Sequence, residues 1–241
     1  MPLTSTVLNS NLRNESQWSA LGECVILLHG YGRTAYSMLG MKWHLTRQGY
    51  RVINTSYPAS RFSVENLSDG FLRGLLGKHL ASSMPKVHFV THSLGGIIVR
   101  CHLSNHHLEN LGRVVMLAPP NHGSAIVDHL RKSVLIRRFT GKSRLQLGTS
   151  PDDLPQRLGP AQFECGVIAG DRSLNPLLSR WLAGPNDGKV TVESARLDGM
   201  QDFLAVHSSH TWMMWRRSII GQTIHFLQTG RFDRPVQTGG Q

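Results

Sequence analysis

No run in the 241-residue chain approaches the 18 or so consecutive apolar residues that a membrane span requires, and Met1 to Ala20 has neither a charged n-region nor an apolar h-region. The expectation is therefore a cytoplasmic protein without a transmembrane segment or export signal, with a mature secreted form left open. Cysteine is scarce: Cys24, Cys101 and Cys165 fall on two expected strands and a helix, which favours buried reduced thiols over bridges. Acidic residues are outnumbered, 15 against 26 Lys and Arg, for a formal net charge of +11. Nucleic-acid binding is still not indicated, because helix-turn-helix, finger and stacking-aromatic signatures are all missing. The basic residues are scattered apart from Arg131, Lys132, Arg137, Arg138, Lys142 and Arg144. Attraction to anionic surfaces or substrates is the expected consequence. Low-complexity tracts are also absent, and with 40% hydrophobic and 17% charged residues the chain suits one large α/β domain.

What is present is a rhythm of short apolar runs. Cys24-Val-Ile-Leu-Leu28 reads as a strand buried on both faces, followed by Arg51–Ser56, a run through Val87, Phe89 and Val90, Arg113–Ala118, Phe163–Ala169 and Phe203–Val206. Helical patterns over Tyr36–Gln48, Val64–Ser83, the stretch after Ser93 and Thr211–Leu227 separate them. Strand and helix alternating in this way predict a mostly parallel sheet covered on both faces. Residues 1–22 read as an N-terminal extension, 23–230 as the domain and 231–241 as a tail. Residues 121–160 interrupt the rhythm. They read as a cap beside the site, with one amphipathic helix carrying Ile126, Val127, Leu130 and Val134 on its apolar face, or as an ordinary crossover helix with a long surface loop. Lys189–Glu193 is expected to be extended.

Three motif matches fail on missing residues. Gly30, Gly32 and Ala35 follow a strand in dinucleotide-fingerprint spacing, yet Arg51–Pro58 offers no acidic residue for a ribose hydroxyl. Gly141-Lys142-Ser143 lacks the first glycine of a phosphate-binding loop, since Ile136 stands there. His102, His106 and His107 lie close on a helix without a metal-ligand spacing, so no metal or cofactor is expected.

One stretch carries chemistry. Val87 to Val99 runs from a strand through Thr91-His92-Ser93-Leu94-Gly95-Gly96 into a helix, which exposes a serine hydroxyl at a sharp turn with the helix's positive end behind it. A serine becomes nucleophilic when an imidazole takes its proton and a carboxylate fixes that imidazole's tautomer. Ser93, Asp187 and His210 follow one another in the order Ser, Asp, His, each in a loop expected at the same sheet edge. Asp171 is an alternative to Asp187, and His207 to His210, which is favoured for its place directly before the last helix. The backbone N–H groups of Leu94 and Tyr31 are the candidate donors for an oxyanion. His92 is expected to pack away from Ser93, and His29 to support its own loop.

His29-Gly30-Tyr31-Gly32, Thr91 to Gly96, Asn186-Asp187-Gly188 and Ser209-His210-Thr211 resemble the landmarks of α/β-hydrolase lipases and esterases, in particular bacterial triacylglycerol-lipase-like and inositol-deacylase-like hydrolases. The resemblance spans about Cys24 to Leu227. It implies an α/β-hydrolase fold and a serine carboxylic-ester hydrolase, with Ser93 as nucleophile, Asp187 as acid, His210 as base, and Tyr31 and Leu94 as oxyanion donors. Thr91 departs from the usual glycine two residues before the nucleophile, and a slightly opened turn is expected to accommodate it. An acyltransferase or amidase on the same residues, and a non-catalytic binding protein of this fold, are the alternatives. The expected partners are a small-molecule or lipid ester and, through the cap's apolar face and basic flank, an anionic lipid surface.

Overall fold

The computed structural model describes residues 22–79 and 84–234, without the side chains of 136, 137 and 139. The expected extension before Gly22, the last residues of the helix ending at Ser83 and the tail beyond Arg234 lie outside the described residues. Six strands, β1 (Cys24–Leu28), β2 (Arg51–Asn54), β3 (Val87–His92), β4 (Leu111–Leu117), β5 (Cys165–Gly170) and β6 (Asp202–Val206), form one parallel sheet in the order β2-β1-β3-β4-β5-β6.

The continuous apolar runs are explained by this arrangement. Alternate residues of a strand face opposite ways, so a strand covered on both sides needs apolar side chains at every position. Ile26, Leu28, Phe89, Met116 and Val167 enter one core, while Val25, Leu27, Val90, Val115, Leu117 and Ile168 enter the other. The edge strands β2 and β6 are only partly covered, and their sequences are correspondingly more polar.

On the second of these faces pack α1 (Leu39–Arg47), entered through a 3-10 turn at Ala35–Met38, and, near the C-terminus, the helix Arg217–Thr229. The opposite face is covered by α2 (Val64–Asn66), a π-helical stretch Leu67–Leu72, α3 (Arg73–His79) and α4 (Leu94–Asn105). Buried Cys24, Cys101 and Cys165 are all free; burial pushes their thiols up to about 11, 11 and 12.

Between β4 and β5 lie α5 (Ala125–Lys132), α6 (Val134–Phe139), α7 (Lys142–Leu145) and α8 (Leu154–Arg157). The single amphipathic helix expected here is two, because Ser133 leaves the helical region at φ −95° and ψ 116°. Ile126 and Val127 are buried as expected, but the break turns Val134 out to 74% exposure. After β5 come α9 (Pro176–Ser179) and α10 (Val192–Ala195). Lys189–Glu193 is not extended throughout: Asn186 bridges back to Thr191, whose hydroxyl accepts the Ser194 N–H at 3.0 Å and starts α10. The last expected helix is likewise divided, with a 3-10 turn at Met213–Trp215, extended Arg216, and then α11 (Arg217–Thr229) ending on left-handed Gly230. No helix among the described residues is long and apolar enough to cross a membrane.

Candidate active site

Because the strands are parallel, the loops after β1, β3, β5 and β6 emerge at one edge of the sheet. Ser93 sits there between β3 and α4 with φ 52° and ψ −118°, backbone that a non-glycine residue adopts only under constraint. Two backbone bonds hold the turn: Ser93 N–H to Leu117 O at 2.8 Å and Gly96 N–H to Ser93 O at 3.0 Å. Ser93 is half-buried between fully buried neighbours.

Two glycines let the helix start this close to the sheet. A Cβ on Gly95 would stand 2.5 Å from Leu28 O, and one on Gly96 would stand 3.3 Å from Thr91 Oγ1. The bare Cα of Gly96 leaves room beside the Thr91 side chain. Its hydroxyl is buried and donates to Val115 O at 3.4 Å.

Asp187 and His210 are both buried, and Asp187 Oδ2 lies 2.7 Å from His210 Nδ1. The other carboxylate oxygen, Oδ1, accepts the N–H groups of Lys189 at 2.9 Å and Val190 at 2.8 Å. A backbone bond from His210 N–H to Asp187 O at 3.1 Å ties the two loops together. The alternative residues pair with each other instead: Asp171 Oδ1 lies 3.0 Å from His207 Nδ1, and both side chains are exposed. His210 and Ser93 line one pocket together with Gly30, Tyr31 and His92; Asp187 lies behind His210.

The neighbouring histidines hold the loops. His29 Nε2 accepts the Tyr57 N–H at 3.2 Å, so its proton is on Nδ1, which donates to Gly30 O at 2.9 Å; the Tyr57 hydroxyl donates to His29 O, and the rings stack at 4.1 Å. Burial lowers its pKa. His92 lines the same pocket as Ser93, with Nε2–H donating to His210 O at 3.0 Å. Its Nδ1 is buried without a partner, and burial, followed by the nearby His210, drives its pKa well below the usual imidazole range. Within the described residues the N–H groups of Tyr31 and Leu94 are engaged by no backbone or side-chain acceptor.

Sequence reasoning missed three cations that line the same pocket: Arg33, Arg144 and Lys189. The sequence had Arg144 in a basic cluster on the cap, but gave no sign that it turns inward. Arg131 of that cluster is not available as a free surface charge, since it pairs with Asp153 and lies 3.7 Å from Asp128. Tyr57 and Arg100 were missed too. Buried Arg100 donates to the carbonyls of Asn121, Pro155 and Gly159 and to Asn121 Oδ1, clamping the segment after β4 onto α4; burial lowers its pKa to about 10. Asp69, His102 and His106 come together, with ligand atoms within 4.8 Å of one another, and His106 Nε2 lies 2.8 Å from Asp69 Oδ1.

In structure the chain is similar to the mature lipase BlEst2 of Bacillus licheniformis, with a TM-score of 0.66 and 17% identity over 87% of this chain and 93% of that one. It is also similar to the metagenomic carboxyl esterase MGS0156, with a TM-score of 0.62 and 18% identity over 80% and 65% of the two chains. A third likeness is to the esterase EaEST of Exiguobacterium antarcticum, with a TM-score of 0.54 and 13% identity over 86% and 92%. At such identities the likeness is one of fold. No curated protein matches the chain in sequence. Residues 25–221 match the model of the alpha/beta hydrolase family, a span that runs from the second residue of β1 into α11 and takes in all of the sheet but Cys24, and the chain therefore belongs to that family.

Proposed function

We propose that this hydrolase cleaves carboxylic esters through an acyl-serine intermediate, with Ser93 as nucleophile, His210 as general base and then acid, and Asp187 as the carboxylate that orients the imidazole. The observation that carries this reading is the buried Asp187–His210 contact of 2.7 Å beside a pocket shared with a serine at φ 52°. Since Nδ1 of His210 is engaged by Asp187, Nε2 is the nitrogen available to take the Ser93 proton. Attack of Ser93 Oγ on the ester carbonyl puts negative charge on its oxygen. The N–H groups of Tyr31 and Leu94 would stabilise that charge, each donor being worth ~3 kcal/mol. His210 then protonates the departing alkoxide, and the same nitrogen later activates water to release the acid.

Fluorophosphonate labelling tests the reading. Label is expected on the native chain, to be lost in Ser93→Ala and strongly weakened in His210→Ala. Full esterase activity in Ser93→Ala would overturn it. A series of p-nitrophenyl esters from short to long acyl chains measures the acyl preference, and product analysis in the presence of a second alcohol or an amine separates hydrolysis from acyl transfer.

Contact of the cap with an anionic lipid surface is a second reading, supported by Val134 and Leu135, 74% and 69% exposed on α6 beside Lys132 and Arg138. Binding to phosphatidylglycerol vesicles is expected to weaken with salt and in Val134→Ser/Leu135→Ser. Binding indifferent to both would count against it.

A further inference from the structure

Among the described residues, those lining the pocket that holds Ser93 and His210 include three cationic side chains, Arg33, Arg144 and Lys189, and no carboxylate. They come from three separate parts of the chain: Arg33 from the loop after β1, Arg144 from α7 and Lys189 from the turn after Asp187. The guanidinium of Arg144 lies over the Tyr31 ring, 5.4 Å from its centroid, and the Tyr31 hydroxyl accepts the Gly141 N–H at 2.9 Å, so ring and α7 are held in one place.

None of the three has a carboxylate partner among the described residues. Other arginines nearby do: Arg131 has Asp153, and Arg157 lies 3.9 Å from Glu65. Among the described residues Asp187 is the acid that acts on Lys189, but its oxygens are occupied by His210 and by the N–H groups of Lys189 and Val190. Uncompensated like charges gathered in a concave site repel one another, and the field they focus there favours an anion. Desolvation of the Lys189 ammonium, and after it the nearby Arg144 and Arg33, lower its pKa.

The geometry points to a subsite, formed by Arg33, Arg144 and Lys189, for a carboxylate or phosphate carried by the ester substrate within a few bonds of its reacting carbonyl. This rests on the ester-hydrolase reading and narrows it to anionic esters. Guanidinium groups suit both anions, because each offers two parallel N–H donors to a pair of oxygens. The anion belongs either to the acyl part or to the alcohol part, and it is carried either by a small soluble ester or by a lipid headgroup.

Three substrate pairs separate these cases: p-nitrophenyl hexanoate against the mono-p-nitrophenyl ester of adipic acid, 1-butyrylglycerol against 1-butyrylglycerol 3-phosphate, and diacylglycerol against phosphatidylglycerol, both in micelles of the same neutral detergent. In at least one pair the anionic member is expected to have a kcat/KM tenfold or more above its neutral counterpart. That ratio should fall with added salt and collapse toward one in Arg144→Gln and Arg33→Gln, with Arg144→Lys and Arg33→Lys intermediate. Lys189→Gln, at an exposed position, tests the third cation without disturbing the core. Calorimetric titration of Ser93→Ala with butyl phosphate gives a readout independent of catalysis: binding is expected, and it should be lost when Arg144→Gln is added. Neutral and anionic members hydrolysed equally, with no butyl phosphate binding, would overturn the subsite while leaving the ester-hydrolase reading in place. Absence of all ester hydrolysis with butyl phosphate still bound through Arg144 would do the reverse.

Discussion

His92 Nε2 donates a hydrogen bond of 3.0 Å to the backbone carbonyl of His210, so the residue directly before Ser93 grips the loop that carries the other imidazole of the pocket. The two rings lie 4.7 Å apart, and Nδ1 of His92 has no hydrogen-bond partner among the described residues. His92→Phe keeps a ring in this space but removes the donor and leaves the His210 carbonyl buried. Esterase kcat is expected to fall about tenfold with KM little changed, alongside a stability loss of ~1–3 kcal/mol. His92→Gln, which retains a donor, should recover part of kcat; identical losses in both variants would refute the positioning role.

Two Asp–His pairs stand at the same sheet edge and differ in burial. Asp187→Asn removes the carboxylate that accepts the His210 proton and is expected to lower kcat by roughly 10³- to 10⁴-fold. Asp171→Asn alters a pair in solvent, where such contacts contribute about 0–1 kcal/mol, and should leave kcat within a factor of two. Steady-state kinetics on a p-nitrophenyl ester compares them directly, and the opposite ranking would reassign the acid.

The glycines of the Ser93 turn and of α3 should respond to alanine in opposite directions. Gly95→Ala drives a methyl into Leu28 O and is expected to cost more than about 2 kcal/mol or to abolish folding. Gly74→Ala, in α3 with open space around it, should stabilise by ~0.5–1 kcal/mol, because alanine orders more easily in a helix. Urea midpoints measure both.

Stability should decline on mild acidification. His29 and His92 have folded pKa values below the ordinary 6.5, His92 by a wide margin. Below pH 6.5 the unfolded chain therefore binds protons that the folded chain refuses, and the folded state loses up to ~1.4 kcal/mol per pH unit for each such histidine. Unfolding free energies at pH 7, 6 and 5.5 should fall in that order; a flat or rising profile would show that these imidazoles accept protons without unfolding.

Much of the fold was legible in the order of residues. Cys24–Leu28 was located as it stands, because a strand covered on both faces demands an unbroken apolar run, and that constraint is written into consecutive residues. The strand through Val87, Phe89 and Val90 was legible for the same reason, whereas the helix after it starts at Leu94, ahead of the apolar run from Ile97 that announced it. Boundaries failed where one residue's backbone departed from a good helical pattern, at Ser133 and Arg216, since side-chain periodicity does not record a local break.

The sequence by itself determined the parallel sheet and the strained serine turn, both consequences of neighbours along the chain. The tertiary structure alone decided that Asp187 reaches His210 while Asp171 reaches His207, and that Arg144 turns into the pocket while Arg131 is held by Asp153. Those pairings join loops separated by many residues. Spacing along the chain does not determine such distances, whereas the crossing of strands and the packing of the segment after β4 set them to within a hydrogen bond's length.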